Sequence, residues 1–148
     1  YSSTKKDMNK LIFYLSWPLL WFYAPLTRRV RVIIIKDGKV LLVKNRFGPS
    51  VFQFPGGGIK FKESVLLAGT REIREELGVK IINPHQLHES FKLSKQYGLL
   101  YKIHFISAEL ENTKIKINHE IMEYSWVSLN ELSGASTEVK TGLKLVEK

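Results

Sequence analysis

The sequence predicts an α+β fold in which a mixed β-sheet packs between helices. Short runs of β-branched and apolar residues, bounded by turn residues, occur in both halves of the chain. Residues 64–77 have helical periodicity, and a second helix is expected near the C-terminus. The 148 residues are enough for one domain with its own core and too few for two full domains. Strands interspersed with helices in a chain of this size indicate layers of sheet and helix around that core.

A hairpin and a short strand are predicted in the first half of the chain. The apolar runs within residues 29–46 flank Asp37-Gly38, a pair that suits a tight two-residue turn. Residues 51–54 follow as a short strand that ends at Pro55, because proline cannot donate to a sheet. Both elements precede the helical segment, so they are expected to flank it in the fold.

The second half of the chain is predicted to be rich in strands. Residues 79–87 read as a strand followed by a turn, and residues 91–110 as another hairpin. Residues 112–120 alternate between polar and apolar positions and then enter a loop. Residues 124–132 form a strand that leads into the start of a helix, and residues 134–148 form the last helix.

The composition excludes some chemistry and favours anionic partners. The chain has no cysteine, which excludes disulfides, thiolate metal sites and a cysteine nucleophile, and fits a cytoplasmic protein. Its formal net charge is +9, which favours nucleotides, nucleic acid or an anionic membrane surface as partners. The alternative is that this charge only keeps the protein soluble.

An uncharged apolar segment, residues 11–26, lies near the N-terminus. It is shorter than the roughly 20 residues of a spanning helix and is interrupted by Pro18 and Pro25. We interpret it as a helix that packs on the domain or in a homodimer. Peripheral contact with a membrane through its tryptophans is the sharper alternative, and a spanning or secretory segment is the third. The chain is accordingly divided into an N-terminal segment, residues 1–26, and a main domain, residues 27–148.

The central helix gathers acidic residues in this basic chain. Ser64 is a suitable N-cap for it, and Gly78 a suitable C-terminal stop. Spacings of three and four residues place Glu72, Glu75 and Glu76 on one helix face, where like charges repel. A hard divalent cation among them would remove that repulsion, and oxygen ligands suit Mg²⁺ or Mn²⁺. The alternative is a solvated, charged helix face.

The segment of residues 57–79 resembles the Nudix box. That box consists of a glycine, five residues, a glutamate, seven residues, Arg-Glu, an aliphatic residue, any residue, Glu-Glu, any residue, a glycine and an aliphatic residue. Every fixed position is filled at the correct spacing, by Gly57, Glu63, Arg71, Glu72, Ile73, Glu75, Glu76, Gly78 and Val79. The preceding hairpin, the "FPGGG" lead-in and the later "EYSWVSLNEL" also resemble the family's flanking elements. Lys60 and Lys62 stand at unfixed positions where members often have glutamate and glycine.

The resemblance implies a Nudix-like α/β/α sandwich and a common chemistry. Nudix proteins generally hydrolyse a pyrophosphate linkage in a nucleoside diphosphate joined to another group, with Mg²⁺ or Mn²⁺. By match to the motif, Glu75 and Glu76 are the principal metal ligands, and Glu72 is a further ligand or the group that activates water. The catalytic set predicted here is Glu72, Glu76 and, from outside the box, Glu120. Support of the box is assigned to Gly57, Glu63, Arg71 and Gly78.

Residues outside the box complete the predicted site. Glu120 is the candidate for an additional metal ligand or base, with Glu123 as its competitor, and His119 could assist. His85 and His88 are three residues apart, but with no third ligand in view they do not indicate a zinc site. The predicted substrate contacts are Arg31, Lys44, Arg46, Gly56 and Gly57. Candidates for base stacking are Phe47, Phe52, Tyr97 and Tyr101.

Three functions are carried forward from the sequence. The first is hydrolysis of a small nucleotide-type substrate, for which nucleic acid is not required. The second is a nucleotide-sensing Nudix domain without catalysis, which the complete set of box acids disfavours. The third is pyrophosphohydrolysis at RNA 5′ ends, which the basic charge permits and no RNA-binding motif demands. The loops outside the box match no subfamily signature, so the substrate stays open.

Overall fold

The computed structural model describes residues 28–47, 50–94 and 99–146. Within them the chain forms seven β-strands, two α-helices and one 3₁₀-helix. In chain order these are β1 (Arg28–Ile33), β2 (Ile35–Lys36), β3 (Lys39–Asn45), β4 (Phe52–Gln53), α1 (Val65–Leu77), β5 (Ile81–Ser94), β6 (Leu99–Leu110), β7 (Ile121–Ser128), the 3₁₀-helix (Leu129–Gly134) and α2 (Thr137–Val146). The predicted α+β class is confirmed.

The strands form two sheets. In the first sheet the order is β1-β6-β5, with β1 parallel and β5 antiparallel to β6. In the second sheet β3 is central: β7 pairs antiparallel along its whole length, and β2 and β4 pair with its two ends. The mixed pairing that the sequence predicts is therefore present, distributed over two sheets.

Apolar side chains on both faces of the sheets contact helices on opposite sides. Val30 and Val32 of β1 belong to the core cluster that contains Ile73 of α1. Ile33 follows Val32 directly, so its side chain points to the opposite face of the strand, and it belongs to the cluster that contains Val139 of α2. Alternate residues of one strand thus bury against different helices, which is the arrangement of an α/β/α sandwich.

The predicted first hairpin is correct at its turn and wrong in its extent. Asp37 and Gly38 both have positive φ, as a type I′ turn requires, and connect β2 to β3. The residues of β1 do not continue this hairpin. They pair instead with β6 on one edge, while the Val30 and Val32 amides donate to the carbonyls of Gly57 and Pro55 on the other. The loop that opens the acidic segment therefore lies along an edge of β1.

The turn predicted within residues 79–87 is wrong. β5 continues through Asn83 and Pro84 as a bulged strand, with register shifts between Ile82 and His85 and again before His88. Asn83 has a φ of 50°, a left-handed conformation that asparagine tolerates better than most residues. A bulge leaves a residue out of the ladder, and β5 stands at the end of the strand order β1-β6-β5, so the proline is accommodated. The hairpin predicted for residues 91–110 is confirmed by the pairing of β5 with β6.

The N-terminal segment 1–26 lies outside the described residues, so its packing, dimer and membrane interpretations stay predictions. In the described parts of the chain, the helices are too short or too polar to span a bilayer.

We predict that Gly142→Ala destabilises the protein by about 1–3 kcal/mol, the usual range for overpacking a core. A Cβ at this position of α2 would lie 2.5 Å from the Phe54 ring and 3.1 Å from the Phe105 ring. Both rings are buried and contact each other edge to face, so neither yields easily. Thr141→Ala, at the exposed neighbouring position, is the control. Urea unfolding of both variants measures the effect, and equal stabilities would contradict this account of the packing.

Candidate active site

The glycine-rich loop before α1 is held tightly against β1. Gly56 has a φ of 131°, and a Cβ on it would lie 2.3 Å from the carbonyl oxygen of Val30. Only glycine fits there, since other residues have both the wrong backbone preference and no space. The amide of Ile59 donates to the carbonyl of Arg28, which extends the contact along the start of β1. The loop is thereby fixed before it meets the acidic face of α1.

Glu76 is buried at the centre of this arrangement. Its side chain accepts a hydrogen bond of 2.8 Å from the Gly56 amide, and the residue is only 5% exposed. Burial raises the pKa of Glu76 to about 7, because a charged carboxylate loses its hydration there. The Gly56 bond opposes this increase, whereas the negative charges of Glu72 and Glu120 add to it. These two acids therefore lie close enough to Glu76 for their charges to act on it.

Glu72 lies directly against Gly57. A Cβ at Gly57 would be 2.7 Å from both carboxylate oxygens of Glu72. The space that a side chain would take at this loop position is thus occupied by the carboxylate. A side chain at this first fixed position of the acidic segment would therefore displace the carboxylate of Glu72, which is the mobile end of a flexible side chain. The φ of Gly57 is not positive, so turn conformation does not require glycine there.

Arg71 connects the acids to the loop. Its guanidinium bonds Glu63 through Nε at 2.8 Å and through Nη2 at 2.9 Å. Nη1 donates to Glu72 at 2.7 Å and to Glu75 at 3.2 Å, and Nη2 also donates to the Gly58 carbonyl at 2.8 Å. The bonds to Arg71 are the main reason why the pKa of Glu63 is lowered from 4.5 to about 2. Arg71 and Glu63 are the residues to which the sequence assigns a supporting role.

The loop that carries Glu120 is anchored to the end of α1. The Asn118 amide donates to the carbonyl of Glu76, and the Lys116 amide to that of Leu77. The side chain of Asn118 then accepts from the amide of Glu120 at 2.9 Å. A carboxylate distant in sequence is thus brought beside the acidic helix. Residues 112–120 contain no strand. Backbone amides among them bond instead to carbonyls at the end of α1, which have no partner within the helix.

The whole arrangement agrees with comparisons to known proteins. The chain matches the family model described as NUDIX domain over residues 25–147. This chain belongs to the Nudix family. It is a hydrolase acting on pyrophosphate bonds, in a family that acts on nucleotide-type substrates.

Curated relatives and solved structures agree with this assignment. The nucleoside triphosphatase NudI of Klebsiella pneumoniae is 32% identical over 129 residues, which cover 78% of this chain and 92% of the relative. The protein of the same name from an Escherichia coli strain is 32% identical over 74% of this chain and 86% of its own length. A MutT Nudix hydrolase structure from Burkholderia pseudomallei has a TM-score of 0.74 at 22% identity, covering 81% of this chain and 97% of that one. A Nudix hydrolase from Nitrosomonas europaea has a TM-score of 0.72 at 21% identity, covering 83% and 88%. The two structures show the shared fold.

Nudix hydrolases generally need divalent metal ions, and the donors here suit such an ion chemically. Glu72, Glu76 and Glu120 offer carboxylate oxygens, the ligands that hard cations prefer. Burial is the main cause of the raised pKa of Glu76, the charges of Glu72 and Glu120 add to it, and a cation would relieve that repulsion. Across the described ranges, no three acidic, histidine or cysteine side chains converge closely enough to hold a metal as they stand. Arg71 bonds both Glu72 and Glu75 in this arrangement, so either carboxylate would have to leave Arg71 in order to coordinate an ion.

Among the predicted substrate contacts with a cationic side chain, Arg31 is the one that the structure buries. It is 4% exposed and bonded to Glu138 of α2, to the Gly56 carbonyl and to Gln53. Its predicted role as a substrate contact stays untested, and its partners here are groups of the protein. Sequence reasoning missed Glu138, because an acid in an amphipathic terminal helix carries no sign that it is buried.

Lys44 and Arg46 lie at the end of β3. Lys44 is half-buried, with its ammonium 5.9 Å from the centre of the Phe52 ring. Arg46 is exposed and donates through Nε to the carbonyl of His119, next to Glu120. Its backbone amide donates to the Glu120 carbonyl. Both cationic side chains are therefore near the loop that carries Glu120, and Arg46 contacts that loop directly.

The remaining candidates are distributed around this region. Glu123 is exposed on β7 and opposite Lys44 in the strand register. The imidazole of His119 is exposed and 4.0 Å from the Glu120 carboxylate. Phe47 is 71% exposed, and His85 lies on the bulged part of β5. The side chains of His88, Tyr97 and Tyr101 lie outside the part of the structure that is described.

We predict that Gly57→Ala lowers hydrolytic activity by at least about tenfold, while Gly58→Ala has little effect. The added methyl group at position 57 would displace the Glu72 carboxylate, and misplacing a reacting group by about 1 Å can cost about 100-fold. A Cβ at Gly58 meets nothing within 4 Å, so that variant is the matched control. Steady-state rates with Mg²⁺ and Mn²⁺ would measure the effect. Equal activities of the two variants would contradict the role given to Gly57.

We predict that Glu63→Gln destabilises the protein near neutral pH and that this destabilisation becomes smaller at acidic pH. Because the folded-state pKa of Glu63 is below its ordinary 4.5, its charge stabilises the native protein above that pH. This contribution is lost as the pH falls from 4.5 towards 2, so wild type and variant converge there. Urea unfolding of both proteins between pH 2.5 and 6 measures the difference, with Glu109→Gln as a control for loss of an exposed carboxylate. A difference that stays constant over this range would refute the assignment.

Proposed function

We propose that this protein hydrolyses a pyrophosphate bond in a nucleoside diphosphate joined to another group, with Mg²⁺ or Mn²⁺ as cofactor. The observation that carries the proposal is the fixing of the acidic helix face against the glycine loop. Glu76 is bonded to Gly56, and Glu72 fills the space beside Gly57. Glu120 reaches the same region from another element, near enough to influence the pKa of Glu76.

The proposed metal ligands are Glu72, Glu75, Glu76 and Glu120. Neutral water is a poor nucleophile towards a multiply charged pyrophosphate. A bound divalent cation would neutralise phosphate oxygens and lower the pKa of the attacking water. Glu76 would be the most firmly positioned ligand because its carboxylate is buried and bonded to the loop. Of the three acids on α1, Glu75 is half exposed and its bond to Arg71 at 3.2 Å is longer than that of Glu72, so it has the most freedom to turn towards an ion.

Glu72 and Glu120 are the proposed groups for accepting the proton of the attacking water. The reaction breaks one P–O bond of the bridging anhydride, adds the hydroxyl of water to that phosphorus, and leaves a proton to be carried away. A carboxylate beside the loop can accept this proton if it is not fully used by the cation. Glu120 is exposed and therefore accessible to water and substrate, whereas Glu72 is partly buried beneath Arg71.

The substrate we propose to test first is a nucleoside triphosphate. The relatives at 32% identity are named nucleoside triphosphatases, and a triphosphate is a nucleoside diphosphate joined to phosphate. The net charge of +9 favours a multiply anionic ligand. Lys44 and Arg46, near the loop of Glu120, are the proposed cations for its phosphates.

Glu76→Gln is predicted to lower turnover by about 100-fold or more without unfolding the protein, because it removes a ligand charge and keeps the side chain's shape. The assay incubates nucleoside triphosphates, nucleotide sugars, ADP-ribose, dinucleoside polyphosphates and capped RNA with Mg²⁺ or Mn²⁺. Mass spectrometry in ¹⁸O-labelled water then identifies the products and the phosphorus attacked. Glu109→Gln, an exposed glutamate on β6, is the control.

Each alternative gives a different result in this assay. Full activity of Glu76→Gln would overturn the proposed site. Nucleotide binding by calorimetry without product after long incubation with Mn²⁺ would indicate a sensing domain instead. Cleavage of capped or triphosphorylated RNA at rates far above those for mononucleotides would move the substrate to RNA ends.

A further inference from the structure

A buried ion pair connects the C-terminal helix to β1. Arg31 Nε lies 2.8 Å from Glu138 Oε1, and the two side chains are 5% and 4% exposed. Glu138 is in the first turn of α2, more than one hundred positions away in sequence. The pair therefore exists only because the fold brings α2 across the sheet to β1.

The same arginine holds the glycine loop. Arg31 Nη1 donates to the carbonyl of Gly56 at 2.8 Å, and Nη2 to the side-chain oxygen of Gln53 at 3.2 Å. The amide of Gly56 in turn donates to Glu76 at 2.8 Å. Gly56 is thus bonded at both its backbone groups, on one side to Arg31 and on the other to the buried carboxylate.

We propose that Glu138 and Arg31 are positioning residues for the metal site, acting through Gly56 on the carboxylate of Glu76. Glu138 holds the guanidinium, the guanidinium holds the Gly56 carbonyl, and the Gly56 amide holds Glu76. This inference rests on the proposed function, because it takes Glu76 to be a metal ligand. It assigns Arg31 a role different from the direct substrate contact that the sequence suggests.

The contacts are more specific than stability alone requires. A buried ion pair is a weak source of stability, and apolar residues of similar volume often replace such a pair without loss. A planar guanidinium, by contrast, offers donors in fixed directions, and here they join a helix, a strand and a loop. Groups that orient metal ligands in this manner typically change metal affinity by about 10- to 100-fold when removed.

The test measures Mn²⁺ affinity without substrate, by electron paramagnetic resonance of the free ion. Glu138→Gln keeps the shape and removes the charge that holds Arg31. Because loss of one buried partner can unfold the protein, the paired variant Arg31→Met with Glu138→Leu removes both charges together. Thr141→Ala, exposed on the same helix, is the control. All proteins are measured well below their melting temperatures, which are recorded in parallel.

We expect both variants to bind Mn²⁺ about 10- to 100-fold more weakly than the wild type. The paired variant should show this loss even if its melting temperature equals that of the wild type. An affinity within twofold of wild type in a folded variant would overturn the proposal. A higher KM for nucleotide with unchanged Mn²⁺ affinity would also overturn it, because that result indicates a substrate contact. Glu76→Gln is measured beside them: if it alone loses Mn²⁺, the inference fails and the proposed metal site stands. If it binds Mn²⁺ like the wild type, the proposed metal site fails.

Discussion

The hydrogen bond from the Gly56 amide to the carboxylate of Glu76 is the interaction on which the rest of the site depends. It joins the loop to the helix at a buried position, where an unpaired carboxylate would be costly. The loop can reach this position because Gly56 has no side chain and lies against the backbone of β1. Sheet, loop and helix are therefore fixed relative to one another at the point where the acids gather.

The remaining acids are organised by charge compensation. Arg71 bonds three carboxylates and a loop carbonyl, so its positive charge offsets the repulsion among the acids it contacts. This arrangement explains how a folded protein can carry such a concentration of acid. With Glu72 and Glu75 as the proposed ligands, the metal and Arg71 would compete for these two carboxylates, whereas Glu76 is already positioned by the Gly56 amide. On the proposed function, the affinity for metal would depend on how readily Glu72 and Glu75 exchange Arg71 for the ion.

The site is composite. The helix supplies three acids, the loop before β7 supplies Glu120, and β1 and α2 support the glycine loop from behind through Arg31 and Glu138. Anchoring of the Glu120 loop to the carbonyls at the end of α1 joins two regions that are far apart in sequence. Geometry at the site is thus determined by elements from the whole domain. Substitutions well outside the acidic segment can change it.

The sequence by itself determined the family, the α+β class, the caps of α1, the Asp37-Gly38 turn and the set of box acids. These features are local, because a cap, a two-residue turn or acids at helical spacing depend on interactions among residues only a few positions apart. Tertiary structure alone decided that β1 pairs with β6 and not with β3, that β5 passes through Pro84 as a bulge, and that Arg31 is buried against Glu138. Each of these depends on a partner distant in the chain, because hydrogen-bonding edges and buried charges are satisfied by whichever groups the fold brings near. No local pattern in the sequence specifies those partners.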